Sequence, residues 1–182
     1  MRLDHIAYRV KDREAAVQFF CKMFGYQVQT VFEITLMDGS KAKCSALEPP
    51  ERAKLTGLTP DFFNGPYHLA PEIFVSDGPE GSLIAEWVKL WGRGTGAVHH
   101  MAYMVDSVLE TMTLWKVKGF EFTTDEPLEC DDLVQVFTQP NPITGIIYEF
   151  IERKGQHGFC QDNVADLMNS TRHLSEASVD PA

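Results

Sequence analysis

Residues 3–10 alternate apolar and polar side chains and are rich in strand formers, so the chain opens on a predicted β-strand. Asp12 is placed to cap a helix carrying Val17, Phe20 and Phe24 at helical spacing, and Gly25 stops it. Strand-like runs follow over 26–36 and 41–48, joined by the Asp38-Gly39 turn. Residues 49–66 contain Pro49, Pro50, Pro60 and Pro66 and read as an irregular insertion with one helical turn. A strand over 68–76 completes a βαβββ unit. Residues 81–92, with Ile84, Trp87, Val88 and Trp91, predict a short amphipathic helix, broken by Gly92, Gly94 and Gly96.

The pattern then starts again. A strand over 97–105 leads into Ser107-Val108-Leu109-Glu110, a capping box, and a helix carrying Val108, Met112 and Trp115 that ends near Gly119. Strands over 120–124, 132–138 and 145–152 give a second βαβββ unit. A helix is expected over 162–172, with a polar end frayed from Leu174. The expected organisation is a first module at 1–80, a linker helix at 81–96, a second module at 97–153 and a C-terminal lid helix and tail at 154–182. Together they form one α+β structural domain, a cupped mixed sheet around a central site.

The repetition extends to individual residues. His5-Ile6-Ala7-Tyr8-Arg9-Val10 returns as His100-Met101-Ala102-Tyr103-Met104-Val105, with His, Ala, Tyr and Val in register. After a one-residue shift, Gly25, Tyr26 and Val28 match Gly119, Phe120 and Phe122. On a strand, His5 and Ala7 share one face, as do His100 and Ala102, while Ile6, Tyr8 and Val10 face the helix of their own module. By the same alternation His99 faces away from His100 and has no counterpart in the first half. Two copies of one strand thus present two imidazoles to a common centre.

A third group joins them. Glu149 lies in Ile146-Ile147-Tyr148-Glu149-Phe150-Ile151, where an unpartnered buried carboxylate would cost several kcal/mol. A cation is the simplest partner, and two imidazoles plus one carboxylate form the ligand set associated with non-heme iron. Glu72 occupies the comparable strand of the first module, as a fourth ligand, a catalytic base or a residue facing water. A lone strand histidine is more often structural than a ligand. The repeat is what lifts His5 and His100 out of that class. His68, His157 and His173 read as surface or structural histidines, and Trp87, Trp91 and Trp115 as helix-packing residues.

Charge narrows the partners. The net charge of −10 argues against nucleic acid and anionic membranes as partners, leaving a small-molecule substrate. No apolar run is long enough to cross a bilayer, the first residues lack signal-peptide anatomy, and Cys21, Cys44, Cys130 and Cys160 are widely spaced. Reduced thiols in a cytoplasmic protein are the expectation.

Tandem βαβββ units with strand-borne His, His and Glu resemble the vicinal oxygen chelate (glyoxalase/bleomycin resistance) superfamily. From about residue 97 the resemblance is to the catalytic C-terminal half of the 4-hydroxyphenylpyruvate dioxygenases. It is carried by Val98-His99-His100-Met101-Ala102-Tyr103, Leu133-Val134-Gln135-Val136-Phe137-Thr138, Tyr148-Glu149-Phe150-Ile151-Glu152-Arg153-Lys154-Gly155 and Gly158-Phe159-Cys160-Gln161-Asp162-Asn163.

That resemblance implies iron ligands at His5, His100 and Glu149, and substrate contacts at Gln135, Phe159 and Asn163. It also implies a non-heme Fe(II) dioxygenase acting on an α-keto acid such as 4-hydroxyphenylpyruvate. The chain departs from the family in lacking its N-terminal half and two lid glycines. Glu72 and the linker are similar to the methylmalonyl-CoA epimerases and glyoxalases, which would imply proton transfer with Co, Ni, Zn or Mn. A non-catalytic ligand-binding module of the same superfamily is the third reading. Relatives exchange modules between subunits, which leaves a homodimer open.

Overall fold

The alternation of β1 (Arg2–Val10) divides its side chains between two faces of a sheet. Ile6, Tyr8 and Val10 pack with Val17 and Phe20 of α1 (Arg13–Phe24), whereas Ala7 belongs to the cluster on the opposite face. The helix forms where its ends are satisfied: the Asp12 carboxylate accepts from the Ala15 amide at 2.9 Å, and Gly25 closes it at φ 75. Phe24 departs from the expected apolar stripe. It is 57% exposed, beyond the contact face set by Val17 and Phe20.

The computed structural model describes residues 1–50, 70–130, 133–154 and 159–176. The helical turn expected within 49–66, the start of the strand expected at 68, and His68 and His157 lie outside these residues. After α1 come β2 (Gln27–Thr35), β3 (Lys41–Glu48), β4 (Glu72–Asp77) and α2 (Leu83–Leu90). The second half contains β5 (Gly96–Met104), α3 (Val108–Val117), β6 (Leu128–Cys130), β7 (Leu133–Phe137) and β8 (Ile147–Arg153). The chain closes with α4 (Gln161–Ser170) and α5 (His173–Glu176).

Among the described residues these strands form one eight-stranded sheet in the order β2-β3-β4-β1-β5-β8-β7-β6, curled into a half-barrel. Each half has the same plan. β4 runs parallel to β1 as β8 runs parallel to β5, and the halves meet where β1 pairs antiparallel with β5. α1 and α3 back the convex face over separate clusters, the second built on Val108, Met112, Val136 and Phe150. α2 and α4 cover the other face, where Leu83, Ile84, Val164 and Met168 meet Ala7, Ala42, Ala46 and Phe74.

Two segments differ from the pattern-based expectation. The strand expected over 120–124 shrinks to a single bridge, Phe122 with Thr138, and the ladder resumes only at β6. Glu121 and Thr123 still exchange backbone bonds with Gln139 and Phe137, but the Thr124 hydroxyl turns to the Glu126 carbonyl and Pro127 has no amide to give, so the pairing stops there. The tail also does not fray at Leu174. It forms α5, and the Trp91 indole donates to the Leu174 carbonyl at 2.8 Å.

Candidate metal centre

The β1–β5 seam builds the site through two irregularities. Leu3 opposes Tyr103 while His5 opposes Ala102, so Asp4 is an extra residue in β1. Ala7 opposes His100 while Tyr8 opposes Val98, so His99 is an extra residue in β5. A bulge of this kind re-aims the side chains beside it. The expectation that His99 faces away and lacks a counterpart is therefore corrected. His99 is buried against His100, their Nδ1 atoms 2.9 Å apart, and its counterpart across the repeat is Asp4.

His5 and His100 stand 95 positions apart in sequence, and their Nε2 atoms are 3.3 Å apart. Glu149 Oε2 lies 3.2 Å from His5 Nε2 and 3.1 Å from His100 Nε2, completing a nearly equilateral triangle. Donors held about 2.1 Å from one ion at right angles are separated by about 3 Å, so the triangle has the size of three neighbouring ligand positions. Among the described residues, these three form the group of His, Cys, Asp or Glu side chains close enough to share an ion. Glu72 is not part of it. It is half-buried on β4 as the register partner of His5, within the electrostatic reach of Arg153.

The far nitrogen of each histidine is also held. Asp4 Oδ1 accepts from His5 Nδ1 at 2.9 Å, and Arg153 clamps that carboxylate with two bonds, 2.7 and 2.9 Å long. A carboxylate only accepts, so the Nδ1 proton is fixed and the Nε2 lone pair faces the centre. Burial works against charge on His5, yet Glu149 and Asp4 outweigh it and raise its pKa to about 9. His100 is shifted the other way: burial leads, and Glu149 does not fully offset it. Burial alone would protonate Glu149, but His5 and His100 hold its pKa down to about 2. The centre is thus a buried carboxylate that draws positive charge toward itself, beside two imidazole nitrogens. That donor set fits a divalent cation.

A pocket opens in front of the triangle. Gln135, 1% exposed on β7, lines it, and so does Phe159, whose ring stands edge-on to His5 with centroids 5.0 Å apart. Phe137 walls the other side, 4.6 Å from the His100 ring. Val164, Leu167 and Met168 of α4 form the cover. Asn163 is turned elsewhere. Its amide donates to the Leu128 carbonyl at 3.5 Å, tying α4 to β6, and it is not among the pocket's lining residues. Sequence reasoning missed Asp4, Arg153, His99 and Arg9. The signal available for Arg9 was its alternation with His5 and Ala7 on one face.

The sheet plan and paired strand histidines define a class. The chain belongs to the glyoxalase/bleomycin resistance protein/dioxygenase superfamily, whose family model matches residues 4–137. No curated protein sequence matches it. Its fold is similar to that of a hypothetical protein from Bacillus halodurans C-125, with TM-score 0.62 and 24% identity over 87% of this chain and 98% of that one. A variant of 4-hydroxymandelate synthase from Streptomyces coelicolor gives TM-score 0.73 and 16% identity, covering 94% of this chain and 53% of that one. This chain therefore spans about half the length of the synthase. A variant of Streptomyces coelicolor methylmalonyl-CoA epimerase, in complex with 2-nitronate-propionyl-CoA, gives 0.59 and 21%, with coverage of 85% and 99%. Among the described residues no helix is long and apolar enough to cross a membrane.

Proposed function

We propose that this chain is a metal-dependent enzyme whose His5, His100 and Glu149 hold one divalent ion, Fe(II) ahead of Co, Ni, Zn or Mn. Its reaction is oxidation of an α-keto acid, 4-hydroxyphenylpyruvate or an analogue, by dioxygen. The observation that carries this reading is the three-donor triangle, 3.1 to 3.3 Å on a side, facing a covered cavity. A bound redox-active ion would supply open positions for a chelating keto acid and for dioxygen.

The protein's own part is placement and exclusion. Gln135 offers a buried amide to the substrate's polar atoms, and Phe74, Phe137 and Phe159 offer apolar walls. α4 keeps bulk water from the ligand cluster, and Asn163 holds that helix against β6. The test is oxygen uptake by anaerobically iron-loaded protein across a panel of keto acids that includes 4-hydroxyphenylpyruvate. Uptake stoichiometric with keto acid consumption is expected. No uptake with any member would defeat the reading.

A second reading is favoured by one observation, the half-buried Glu72 carboxylate directly beside His5 in the β1–β4 register. Placed there, Glu72 could take a proton from a carbon acid, as an epimerase, isomerase or lyase requires. This alternative calls for activity with cobalt, entry of solvent deuterium into the substrate and loss of both in Glu72→Ala.

A further inference from the structure

β1 places His5, Ala7 and Arg9 on the pocket face, and Arg9 lies four residues, or about 13 Å of strand, beyond the first ligand. Its side chain is 1% exposed. One guanidinium nitrogen, Nη2, donates to the Thr171 hydroxyl at 3.2 Å, and the guanidinium carbon sits 5.6 Å from the centre of the Trp87 ring. Nε and Nη1 have no hydrogen-bond partner among the described residues. A buried guanidinium with two idle donors is costly, by several kcal/mol, unless something arrives to accept from them.

A second unpartnered donor lines the same pocket. His99 is 4% exposed, its ring 5.2 Å from that of Trp87, and its Nε2 also lacks a partner. Its tautomer follows from the proposed metal centre, on which this step rests. If His100 Nε2 turns its lone pair to an ion, the His100 proton lies on Nδ1 and is donated to His99 Nδ1. The His99 proton then lies on Nε2. Ser76, the register partner of Arg9 on β4, adds to the lining a hydroxyl that donates to the Tyr8 carbonyl at 3.4 Å. The end of the pocket beyond the metal ligands thus holds unpartnered donors on two side chains, Arg9 and His99.

We infer that Arg9, with His99 and Ser76, forms an anion-binding subsite in the metal pocket, so the substrate carries a second anionic group, a carboxylate or a phosphate, remote from its chelating end. Within the keto acids proposed above, the substrate class is then a small dianion with a distal acid group, an analogue of 4-hydroxyphenylpyruvate rather than that neutral-ended phenol itself. Arg9 selects it by charge-assisted, paired N–H bonds, and His99 and Ser76 set the orientation. A substrate whose far end is neutral leaves the guanidinium buried and idle, which is the penalty that discriminates against it.

The subsite can be tested apart from the metal. Inorganic phosphate and succinate are titrated separately into the full-length wild type, Arg9→Gln, Arg9→Lys and His100→Ala, followed by Trp fluorescence and thermal midpoint. The expected result is saturable binding of at least one anion to wild type and to His100→Ala, weakened by at least about tenfold in Arg9→Gln and less in Arg9→Lys. The better-bound anion tells phosphate from carboxylate recognition. Absence of saturable binding in wild type, or undiminished binding in both Arg9 variants, overturns the subsite. Arg9→Lys, which keeps the charge, guards against misfolding of Arg9→Gln. Metal content measured on the same samples separates the two ideas, because loss of the metal reading leaves anion binding by His100→Ala unaffected.

Discussion

The two halves of the candidate metal centre repeat each other in backbone and differ in chemistry. On both strands the residue before the histidine is a bulge residue, and on both its side chain reaches the histidine's Nδ1 at 2.9 Å. In the first half that residue is Asp4, an anion clamped by Arg153. In the second it is His99, which burial holds neutral with its pKa well below the usual imidazole range. On His5 burial is outweighed by Glu149 and then Asp4, which push it up to about 9; on His100 burial prevails over Glu149 and pushes it down. The repeated strand places the two imidazoles alike, while the residue behind each differs in charge. His5 is the more basic, better-anchored imidazole, and His100, through His99, joins the triangle to the Arg9 end of the pocket.

The largest effect should come from breaking the anchored side. Arg153→Met leaves Asp4 buried beside His5 without its cationic clamp and should cost about 3–5 kcal/mol of stability in urea denaturation. A loss under about 1 kcal/mol would show that the clamp is not what holds this half. Asp4→Asn keeps the shape but removes the charge behind His5, and metal affinity should fall about 10- to 100-fold in competition with a chromophoric chelator. Unchanged affinity would erase the proposed difference between the halves.

The seam comes next. Gly96 sits at φ 150 where a Cβ would come within 2.8 Å of the Arg9 carbonyl, so Gly96→Ala should cost about 2 kcal/mol in the same denaturation assay. An unaltered midpoint would mean that β1 and β5 part easily. Smallest is His99→Phe, which keeps a ring against Trp87 but removes the neutral partner of His100; metal affinity should fall less than about tenfold. A drop as large as that of Asp4→Asn would make the halves equivalent after all.

How much of this was readable beforehand depends on the ladder. Where pairing runs unbroken, alternation placed side chains correctly: His5 and Ala7 on one face, Ile6, Tyr8 and Val10 on the other, and Asp12, Gly25 and Ser107 at helix ends. The three members of the donor triangle were legible because two recur in a repeat and the third is a charge in an apolar strand. Alternation fails at a bulge, since one extra residue flips everything counted across it, and that is why His99 was assigned the wrong face. A strand pattern is also blind to partners far apart in sequence, so the Asp4–Arg153 clamp left no local trace. The expected strand at 120–124 shortened for a different reason: its pairing with Phe137 and Gln139 ends where the Thr124 hydroxyl bonds the Glu126 carbonyl and Pro127 lacks an amide.

The central claim is that His5, His100 and Glu149 share one ion, and metal analysis of the full chain tests it most directly. Protein purified without chelators and loaded anaerobically with Fe(II) should retain close to one ion per chain, and folded His100→Ala should retain essentially none. Metal-free wild type after loading, or equal retention by His100→Ala, would contradict it.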